Sequence, residues 1–368
     1  MIKPRCPYFG RCGGCTYQDI PYSQQLKIKQ DQLNRHLDFD SIKIFSGEPF
    51  HYRTRMDFVF HAGGLGLRKK GFWDRMVDIE NCALSSPRLN EVLKEVREFF
   101  DDVFYFDVRR RFGTFCYAVI RTPPEDSSVS LVLNRKSKQL QEAVFRIQEF
   151  AEITSVRNLA ATLIPHNRHV SVSEEYFMIK GSPYLKEEYL GKRFVYPVQG
   201  FFQVNHDMTE KLLDYCRNIL QAYSGLEVNL YDLYSGAGTF GIINAPNFAH
   251  ITLAEDYAPA VKAAEKNLER NRISHASAVC VRDKHFPKIE YTSPYAVIMD
   301  PPRSGVHPRV IQMLERSDPE MLLYVSCNPK LLERDLNEMK SYRIKSAALF
   351  DLFPQTPHME AVVELVKK

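Results

Sequence analysis

NLYDLYSGAGT, residues 229–239, is an apolar run that opens onto a G-x-G turn. Such a turn at the end of a strand lets the backbone approach a ligand closely, and a helix is expected to follow it. From Gly200 onward, apolar strands alternate with helical patterns, which indicates a Rossmann-like α/β domain with a parallel sheet. Gly236, Gly238 and Gly241 have the spacing G-x-G-x-x-G, which dinucleotide-binding turns share. The turn therefore predicts a ligand that contains adenosine, and its spacing alone does not separate S-adenosylmethionine from a dinucleotide.

Three carboxylates follow predicted strands of this domain, and their positions favour an adenosine cofactor. The strands are predicted over residues 249–254, 276–281 and 295–299, and the carboxylates are Glu255, Asp283 and Asp300. Glu255 comes about 20 residues after the glycines, where a carboxylate can accept hydrogen bonds from ribose hydroxyls. Asp283 is placed to accept a hydrogen bond from an adenine amino group. S-adenosylmethionine is the cofactor that this arrangement predicts.

Cys327 is the predicted nucleophile, because the run YVSCNP, residues 324–329, ends a strand on a cysteine. By itself, a cysteine in such a run is more often part of a buried core. Here it comes to the same sheet edge as the glycine turn, Glu255 and Asp300, where open α/β folds bind ligands. Asp300 is followed by two prolines and Arg303, whereas methyltransferases acting on exocyclic amines place an aromatic residue after the prolines. Arg303 suits a phosphate instead, and Asp300 suits the edge of a pyrimidine.

A pyrimidine substrate explains why both a thiolate and a base are needed. Carbon-5 of uracil is too electron-poor to attack a methyl sulfonium directly, whereas addition of a thiolate to carbon-6 makes it nucleophilic. After methyl transfer, a base must remove the carbon-5 proton so that the thiolate can leave. Glu360, at the start of the terminal strand predicted over 361–366, is the favoured base, and His358 is the alternative.

Four of the eight cysteines lie in the first 82 residues and predict a metal site. Three have the spacing C-x5-C-x2-C in a glycine-rich loop, and the fourth follows at a distance; they are Cys6, Cys12, Cys15 and Cys82. In a reducing compartment, such thiols more often hold a metal than form disulfides. Four thiolates suit either a tetrahedral zinc or an iron–sulfur cluster, and the spacing leaves both open.

Composition and hydrophobic pattern predict the organisation of the rest of the chain. The 368 residues are 44% hydrophobic and carry a net charge of +4, which permits nucleic-acid binding without requiring it. We expect a cytoplasmic protein without a membrane-spanning helix, because no sufficiently long apolar run and no apolar signal core occur. Residues 18–37 predict a helix, and residues 45–196 predict a β-rich region in which basic side chains stand beside aromatic ones. We expect an N-terminal iron–sulfur segment with a helix (1–45), a β-rich α+β domain that binds RNA and supplies the fourth cysteine (46–196), and a methyltransferase domain (197–368).

These motifs together resemble those of the RNA (uracil-5-)-methyltransferases that carry an iron–sulfur cluster. The resemblance covers essentially the whole chain and rests on the cysteine loop, FFQVN (201–205), DLYSG (232–236), DPPR (300–303), SCNP (326–329) and the Glu360 segment. It implies a [4Fe-4S] cluster on the four cysteines, catalysis by Cys327 and proton removal by Glu360. It also implies contacts with S-adenosylmethionine from Gln203, Tyr234, Gly236, Thr239, Glu255, Asp283 and Asp300. Two residues depart from the family pattern: Tyr234 stands where phenylalanine is usual, and Thr239 where asparagine often follows the glycines.

The resemblance also informs the substrate. The compact members that this chain is similar to methylate a uridine in 23S ribosomal RNA, which is therefore the expected RNA partner of a monomeric enzyme. A T-loop uridine of transfer RNA is the alternative. Two hypotheses of other classes are a non-catalytic RNA-binding protein, which an inert Cys327 would favour, and an iron–sulfur redox protein, which would require reversible reduction of the cluster.

Overall fold

The structure is a computed structural model and describes residues 2–368. The chain forms two compact units, each built from segments that are distant in sequence. Unit one contains residues 2–21, Glu48–Glu187 and Pro197–His206, and unit two contains Tyr22–Gly47, Glu188–Tyr196 and Asp207–Lys368. The ranges predicted from the sequence, 1–45, 46–196 and 197–368, place the first helix with the cysteine loop, whereas the structure groups it with the carboxyl-terminal sheet.

Residues 2–368 form eight α-helices and seventeen β-strands. The helices are α1 (Tyr22–Leu37), α2 (Pro87–Phe99), α3 (Leu140–Ile153), α4 (His206–Gln221), α5 (Thr239–Asn244), α6 (Ala258–Arg270), α7 (Pro308–Arg316) and α8 (Pro329–Glu338). The strands are β1 (Ile42–Phe45), β2 (Arg55–His61), β3 (Gly64–Arg68), β4 (Met76–Asp78), β5 (Phe115–Arg121), β6 (Ser128–Asn134), β7 (Asn158–Ile164), β8 (Tyr176–Lys180), β9 (Tyr184–Tyr189), β10 (Lys192–Pro197), β11 (Gly225–Leu233), β12 (Phe248–Glu255), β13 (Ala276–Cys280), β14 (Tyr295–Met299), β15 (Leu322–Ser326), β16 (Tyr342–Phe350) and β17 (Glu360–Lys367). Within this range, no helix combines the length and the apolar character needed to span a membrane.

Unit two is organised around an eight-stranded sheet with the order β1-β16-β17-β15-β14-β11-β12-β13. Strands β11 to β15 pair in parallel, whereas β17 is antiparallel to β15 and β16. Every residue of β14 and β15 is buried, as expected for parallel strands covered on both faces. The predicted α/β arrangement with a parallel sheet is therefore confirmed.

The order of these strands marks where a ligand is expected. From β11 the chain adds β12 and β13 on one side, and then β14 and β15 on the other. The carboxyl ends of β11 and β14 therefore flank the switch point at which open α/β sheets bind ligands. The predicted glycine turn follows β11 directly, and Asp300 follows β14 directly.

Unit one contains a seven-stranded sheet with the order β4-β3-β2-β5-β6-β7-β8, in which only the β6–β7 pair is parallel. Helix α2 begins with Pro87 in its first turn and with Ser86 Oγ accepting a hydrogen bond from the Leu89 amide (3.2 Å). Its apolar stripe joins Phe58 and other strand residues in one core. Side chains alternate across a strand, so Val59, the neighbour of Phe58, points to the opposite face of the sheet.

Candidate active site

The glycine turn follows β11 and is closed by a buried aspartate. Gly236 and Gly238 have φ values of 55° and 83°, in the left-handed region that glycine adopts without strain. Oδ2 of Asp232 accepts a hydrogen bond from the amide of Gly241 (2.8 Å). A side chain at Gly241 would clash with Leu253, so this glycine lets helix α5 pack closely against β12. Asp232 thereby fixes the turn to the helix that follows it.

Asp232 is a buried residue at the turn for which the sequence alone predicted no role. Its side chain is fully buried, and burial raises its pKa to about 8. The negative charges of Asp300 and Glu255 contribute to this increase, so these carboxyl groups are close enough to interact. The available signal was a carboxylate inside an otherwise apolar strand, a position that is costly unless the group has a partner or a function.

Glu255 closes the glycine turn from the neighbouring strand. Its Oε2 accepts a hydrogen bond from the amide of Gly236 (3.0 Å), and its Oε1 accepts from the amides of Asp256 (3.0 Å) and Tyr257 (2.9 Å). Burial raises the pKa of Glu255. Each carboxylate oxygen has two lone pairs, so Oε2 can still accept a hydrogen bond from a ribose hydroxyl.

Tyr234 connects the glycine turn to the segment after β14. Its ring packs edge-on against Phe286 at a centroid distance of 5.0 Å. Its hydroxyl accepts a hydrogen bond from the amide of His307 (3.2 Å). The hydroxyl that distinguishes this tyrosine from the expected phenylalanine therefore has a structural partner.

Three further predicted cofactor residues have different placements. Thr239 is the first residue of α5 and directly follows Gly238. Asp283 lies beyond the end of β13, and its Oδ1 accepts a hydrogen bond from the amide of Lys284 (2.6 Å). Gln203 belongs to unit one, and its contact with the cofactor stays a prediction.

Polar atoms buried at the turn suggest that a ligand completes it. Oδ1 of Asp232 and Oγ of Ser235 are buried without a hydrogen-bond partner among residues 2–368. Leaving such an atom unsatisfied costs about 1–3 kcal/mol. The hydroxyl and amino groups of an adenosine cofactor can supply the missing partners. The polar groups around the turn therefore fit S-adenosylmethionine.

Cys327, Glu360 and Asp300 meet at one edge of the sheet because of the strand register. Strands β15 and β17 are antiparallel with Ser326 opposite Ala361, so Cys327 comes opposite Glu360. Asp300 directly follows β14, the parallel neighbour of β15. The charges of Glu360 and Asp300 both act on the Cys327 thiol. The structure thus brings the predicted nucleophile and the favoured base together.

Glu360 is a buried carboxyl group with an unused oxygen. Its Oε1 has no hydrogen-bond partner in the described part of the chain. Burial raises the pKa of Glu360 well above its ordinary value; the charge of Asp300 raises it further, and Arg303 lowers it. Burial also raises the pKa of Asp300 to about 7. A carboxyl group of raised pKa is a stronger base once ionised, as removal of a proton from carbon requires.

His358, the alternative base, lies two residues before Glu360 and is exposed. Its ring packs edge-on against Phe353 with the centroids 6.2 Å apart. Of the two candidates, Glu360 has the buried position opposite Cys327. The placement therefore favours Glu360 as the base.

Carboxyl groups and an arginine act electrostatically on the Cys327 thiol. Its pKa is raised to about 11, chiefly by burial and also by the charges of Glu360 and Asp300, while Arg303 lowers it. Nδ2 of Asn328 donates a hydrogen bond to the carbonyl of Arg303 (3.2 Å), which ties the loop after β14 to the residue beside the nucleophile. The thiol is therefore protonated at neutral pH in the free protein, and thiolate formation requires loss of this proton.

Helix α1 holds the segment that leads to Glu360 through buried polar contacts. Nζ of Lys29 lies 2.6 Å from Oδ1 of Asp351, and neither side chain is exposed. Nε2 of Gln25 donates a hydrogen bond to Oε1 of Gln355 (3.0 Å), and the Gln355 amide donates to Oε1 of Gln25 (3.0 Å). These contacts fix the chain between β16 and β17. They could not be predicted from the sequence because the paired residues are 322 and 330 positions apart.

The four predicted cluster cysteines line one cavity of unit one: Cys6, Cys12, Cys15 and Cys82. N–H groups point at two of their sulfur atoms: the Gly14 amide lies 3.3 Å from Sγ of Cys12, and Nε2 of Gln18 lies 3.2 Å from Sγ of Cys15. Burial raises the pKa of Cys15 to about 12. Across residues 2–368, no group of three or more His, Cys, Asp or Glu side chains has the arrangement of a metal-ion site.

The parallel sheet, the glycine turn and the carboxylates after successive strands define a class, the Rossmann-like methyltransferases that use S-adenosylmethionine. Comparison with known proteins narrows this class. Residues 21–368 match the family described as tRNA (Uracil-5-)-methyltransferase. The chain belongs to this family. The predicted enzyme class, an S-adenosylmethionine-dependent RNA (uracil-5-)-methyltransferase, is therefore confirmed.

Individual relatives match the chain over nearly its full length. An uncharacterized RNA methyltransferase of Thermotoga maritima is 34% identical over 382 residues, covering 100% of this chain and 85% of the relative. The tRNA (uracil(54)-C(5))-methyltransferase of Pyrococcus abyssi is 30% identical over 367 residues, covering 99% of this chain and 86% of the relative. The crystal structure of the P. abyssi tRNA (uracil-54, C5)-methyltransferase in complex with S-adenosyl-L-homocysteine superimposes with a TM-score of 0.81 at 28% identity, covering 96% of this chain and 86% of that one. This similarity confirms the predicted methyltransferase fold.

Proposed function

We propose that this chain transfers a methyl group from S-adenosylmethionine to carbon-5 of a uridine in RNA, with Cys327 as the nucleophile and Glu360 as the base. The observation that carries the proposal is a thiol placed opposite a buried carboxyl group that has an unpartnered oxygen. Oxygen and nitrogen atoms attack a methyl sulfonium directly and need no thiol. A carbon atom of low nucleophilicity does need one. Family membership supports the same reaction.

Each residue of the site has a separate role in the proposed reaction. The Cys327 thiol gives its proton to solvent, and the sulfur then bonds to carbon-6 of uracil, so that the electron pair of the 5,6 double bond moves into an enolate and makes carbon-5 nucleophilic. S-adenosylmethionine supplies the methyl group when bound. Glu360 takes the proton from carbon-5, the 5,6 double bond re-forms, and the bond between sulfur and carbon-6 breaks. Asp300, with a pKa of about 7, can donate or accept a hydrogen bond at the pyrimidine edge.

The residues around the glycine turn are assigned to the cofactor. Glu255 offers a carboxylate oxygen to the ribose, and Asp232 and Ser235 offer buried polar atoms that lack protein partners. The remaining assignments follow from the family motifs: Gln203, Tyr234, Gly236, Thr239, Asp283 and Asp300.

Transfer RNA and 23S ribosomal RNA are the two candidate substrates. Transfer RNA is supported by the relatives from P. abyssi and Pyrococcus horikoshii, both described as tRNA (uracil(54)-C(5))-methyltransferases at 30% identity. The 23S ribosomal RNA expected from the sequence resemblance has no relative of that description among those reported above. Mass-spectrometric mapping of 5-methyluridine in both RNAs, with and without the gene, decides between them. Loss of the modification from the T-loop supports transfer RNA, and loss from 23S rRNA supports the ribosomal substrate.

We further propose a [4Fe-4S] cluster held by Cys6, Cys12, Cys15 and Cys82. The support is that all four thiols line one cavity and that N–H groups point at two sulfur atoms, since hydrogen bonds to sulfur are typical of such clusters. A tetrahedral zinc would need four sulfur atoms about 2.3 Å from one ion. Among residues 2–368, no group of three or more His, Cys, Asp or Glu side chains has the arrangement of a metal-ion site. A [4Fe-4S] cluster holds its four sulfur atoms farther apart than a single zinc ion does, so it does not require that arrangement. When bound, it would cross-link the cysteine loop to the segment around Cys82.

The catalytic proposal is tested with variants of single cysteines. Cys327→Ala should abolish formation of 5-methyluridine in RNA from a strain that lacks the enzyme. Cys280→Ser is the matched control, because Cys280 is an exposed thiol of the same unit. Retained methylation by Cys327→Ala would refute the covalent mechanism.

The cluster proposal is tested by anaerobic purification and metal analysis. The protein should be brown, with four iron and four sulfide per chain, and Cys12→Ser should lose both. Stoichiometric zinc in a colourless protein would refute the cluster and support the tetrahedral site.

A further inference from the structure

A second cavity lies in unit one, on the face of the seven-stranded sheet to which Val59 points. Its volume is about 420 Å³, within the range of about 300–1,000 Å³ found for small-molecule sites. Its walls carry cationic and aromatic side chains: Arg68, Arg75, Arg109, Arg168, Trp73 and Tyr117. None of these residues belongs to the methyl-transfer site or lines the cysteine cavity.

The positive charge of this cavity exceeds what the protein neutralises. Arg109 forms an ion pair with Asp74. Three other arginines have no carboxylate within 4 Å among residues 2–368: Arg68, Arg75 and Arg168. Arg68 donates instead to the hydroxyl of Tyr117 (3.2 Å), and the Arg75 guanidinium lies 4.5 Å from the centre of the Phe72 ring. Phosphate is, with carboxylate, a group that guanidinium groups bind in bidentate geometry.

Trp73 supplies a large exposed ring at the same cavity. Its side chain is 60% exposed. The ring of His169 lies 6.2 Å away at an interplanar angle of 52°, so neither ring covers the other's face. Nucleobases that are not paired stack on aromatic side chains of this kind. A ring beside unpaired arginines therefore matches a base together with its phosphate.

The cysteine loop holds the segment on which Trp73 lies. The Gly13 amide donates a hydrogen bond to the carbonyl of Arg68 (3.0 Å), and the Lys70 amide donates to the carbonyl of Arg11 (2.8 Å). These bonds anchor the connection between β3 and β4 three residues before the tryptophan. A ring on an anchored segment loses less conformational entropy when it binds a ligand.

We infer that this cavity binds an unpaired nucleotide of the RNA substrate at a position other than the target uridine. The base stacks on Trp73, and neighbouring phosphates pair with Arg75 and Arg168. The inference rests on the proposed function, because it takes RNA as the substrate. It adds that the enzyme recognises a second unpaired base, as a folded RNA loop presents, and not the target uridine alone.

Trp73 is the single tryptophan of the chain, so its fluorescence reports on this cavity directly. The full-length protein is titrated with a single-stranded oligoribonucleotide of about 16 nucleotides, the upper site size of known single-strand binding folds. We expect saturable quenching. Free uridine monophosphate and a duplex of the same sequence are titrated in parallel. Equal quenching by the free nucleotide would assign the cavity to a small molecule, and equal quenching by the duplex would show that no unpaired base is needed; either result overturns the inference.

Variants separate stacking from phosphate binding, with anisotropy of labelled RNA as the measurement. Trp73→Ala should weaken binding by about 5- to 150-fold, and Trp73→Phe should restore most of it, because stacking needs only a ring. Arg168→Ala should lower the slope of log affinity against log salt by about 0.7, the value for one phosphate contact on a single strand. Lys94→Ala is the matched control, because it removes one charge from α2, which packs on the Phe58 face of the sheet. Equal effects of Lys94→Ala and Arg168→Ala would overturn the inference.

Failure of this inference and failure of the proposed reaction have different signatures. Cys327-dependent methylation without quenching of Trp73 would refute the nucleotide site and leave the methyltransferase intact. Quenching by single-stranded RNA without formation of 5-methyluridine would refute the reaction and leave the nucleotide site intact.

Discussion

Two ion pairs of nearly equal length show how differently the two units use charge. In unit two, Lys29 and Asp351 lie 2.6 Å apart and have no exposed surface. In unit one, Arg135 and Glu175 lie 2.8 Å apart with 50% and 47% of their side chains exposed. Water can replace a lost partner in the second pair, whereas in the first a single charge would be left in apolar surroundings. The distance between the charged atoms alone therefore does not predict how much an ion pair contributes to stability.

The same contrast separates the two proposed sites. The sheet edge of unit two carries buried carboxyl groups whose pKa values are raised by burial, among them Asp232, Asp300 and Glu360. The cavity of unit one carries exposed arginines that keep their charge. Proton transfer at carbon needs groups that can lose and regain a proton near neutral pH, whereas attraction of RNA needs groups that stay charged in water. Burial of the carboxyl groups and exposure of the arginines therefore distinguish the two proposed sites.

The largest expected effect comes from neutralising the buried base. Glu360→Gln should lower the rate at which methylated RNA is released from the enzyme by about 10²- to 10⁴-fold, the usual contribution of a general base. Because the thiolate cannot leave while the carbon-5 proton remains, a covalent complex of protein and RNA should accumulate. The measurements are single-turnover rates and a denaturing gel.

A matched control for this variant lies on the same strand. Glu364→Gln changes a carboxylate that is also buried, but whose oxygens already bind Tyr223 (2.6 Å) and Ser346 (2.5 Å). It should leave the single-turnover rate nearly unchanged and trap no complex. Normal turnover by Glu360→Gln without any adduct would transfer the role of base to His358.

The next effect tests the comparison of the two ion pairs. Lys29→Met should lower the free energy of unfolding by about 3–5 kcal/mol, because it leaves Asp351 buried without its partner. Arg135→Met should cost less than about 1 kcal/mol, because its pair is exposed. Denaturant unfolding followed by circular dichroism measures both. Equal costs for the two variants would show that burial does not distinguish the pairs.

A smaller effect concerns the pH dependence of stability. Burial raises the pKa of Asp232 to about 8 in the folded protein, against about 3.9 for an ordinary aspartate. Between these values the folded state holds a proton that the unfolded state has lost, so stability falls as pH rises, by up to about 1.4 kcal/mol per pH unit. Asp232→Asn removes this dependence and should become progressively more stable than the wild type from pH 5 to pH 8.

The control for the pH series is Asp318→Asn, which changes an exposed carboxylate of the same unit. Its stability should follow the wild-type curve with a constant offset. A constant offset for Asp232→Asn as well would mean that Asp232 is ionised in the folded protein throughout this range.

The sequence was sufficient to predict the sheet edge, because its signals are local. Apolar strands, the turn at Gly236 and the carboxylate after each strand lie within short stretches, and parallel strands bring their carboxyl ends to one edge. Cys327 and Glu360 could be expected there for the same reason. Their roles still rest on the proposed chemistry.

The contacts that support this edge could not be predicted. The pairing of Lys29 with Asp351 joins residues 322 positions apart and leaves no periodic signal. The role of Asp232 depends on the amide of Gly241, which comes into reach only when α5 packs against β12. Likewise, the basic and aromatic clusters of unit one were visible in the sequence, but the cavity that they share depends on which face of the sheet each strand residue takes.

The smallest expected effect concerns Trp73 and completes the comparison of buried and exposed groups. Trp73→Ala should change the free energy of unfolding by less than about 0.5 kcal/mol, because most of its ring is already in water. Phe58→Ala in the same sheet should cost about 3–5 kcal/mol, because Phe58 is fully buried. Circular dichroism during denaturant unfolding measures both variants without relying on the lost fluorophore. A ring that contributes little to folding yet is held beside unpaired arginines is the combination expected of a binding residue, and a large stability loss in Trp73→Ala would instead make it part of the core.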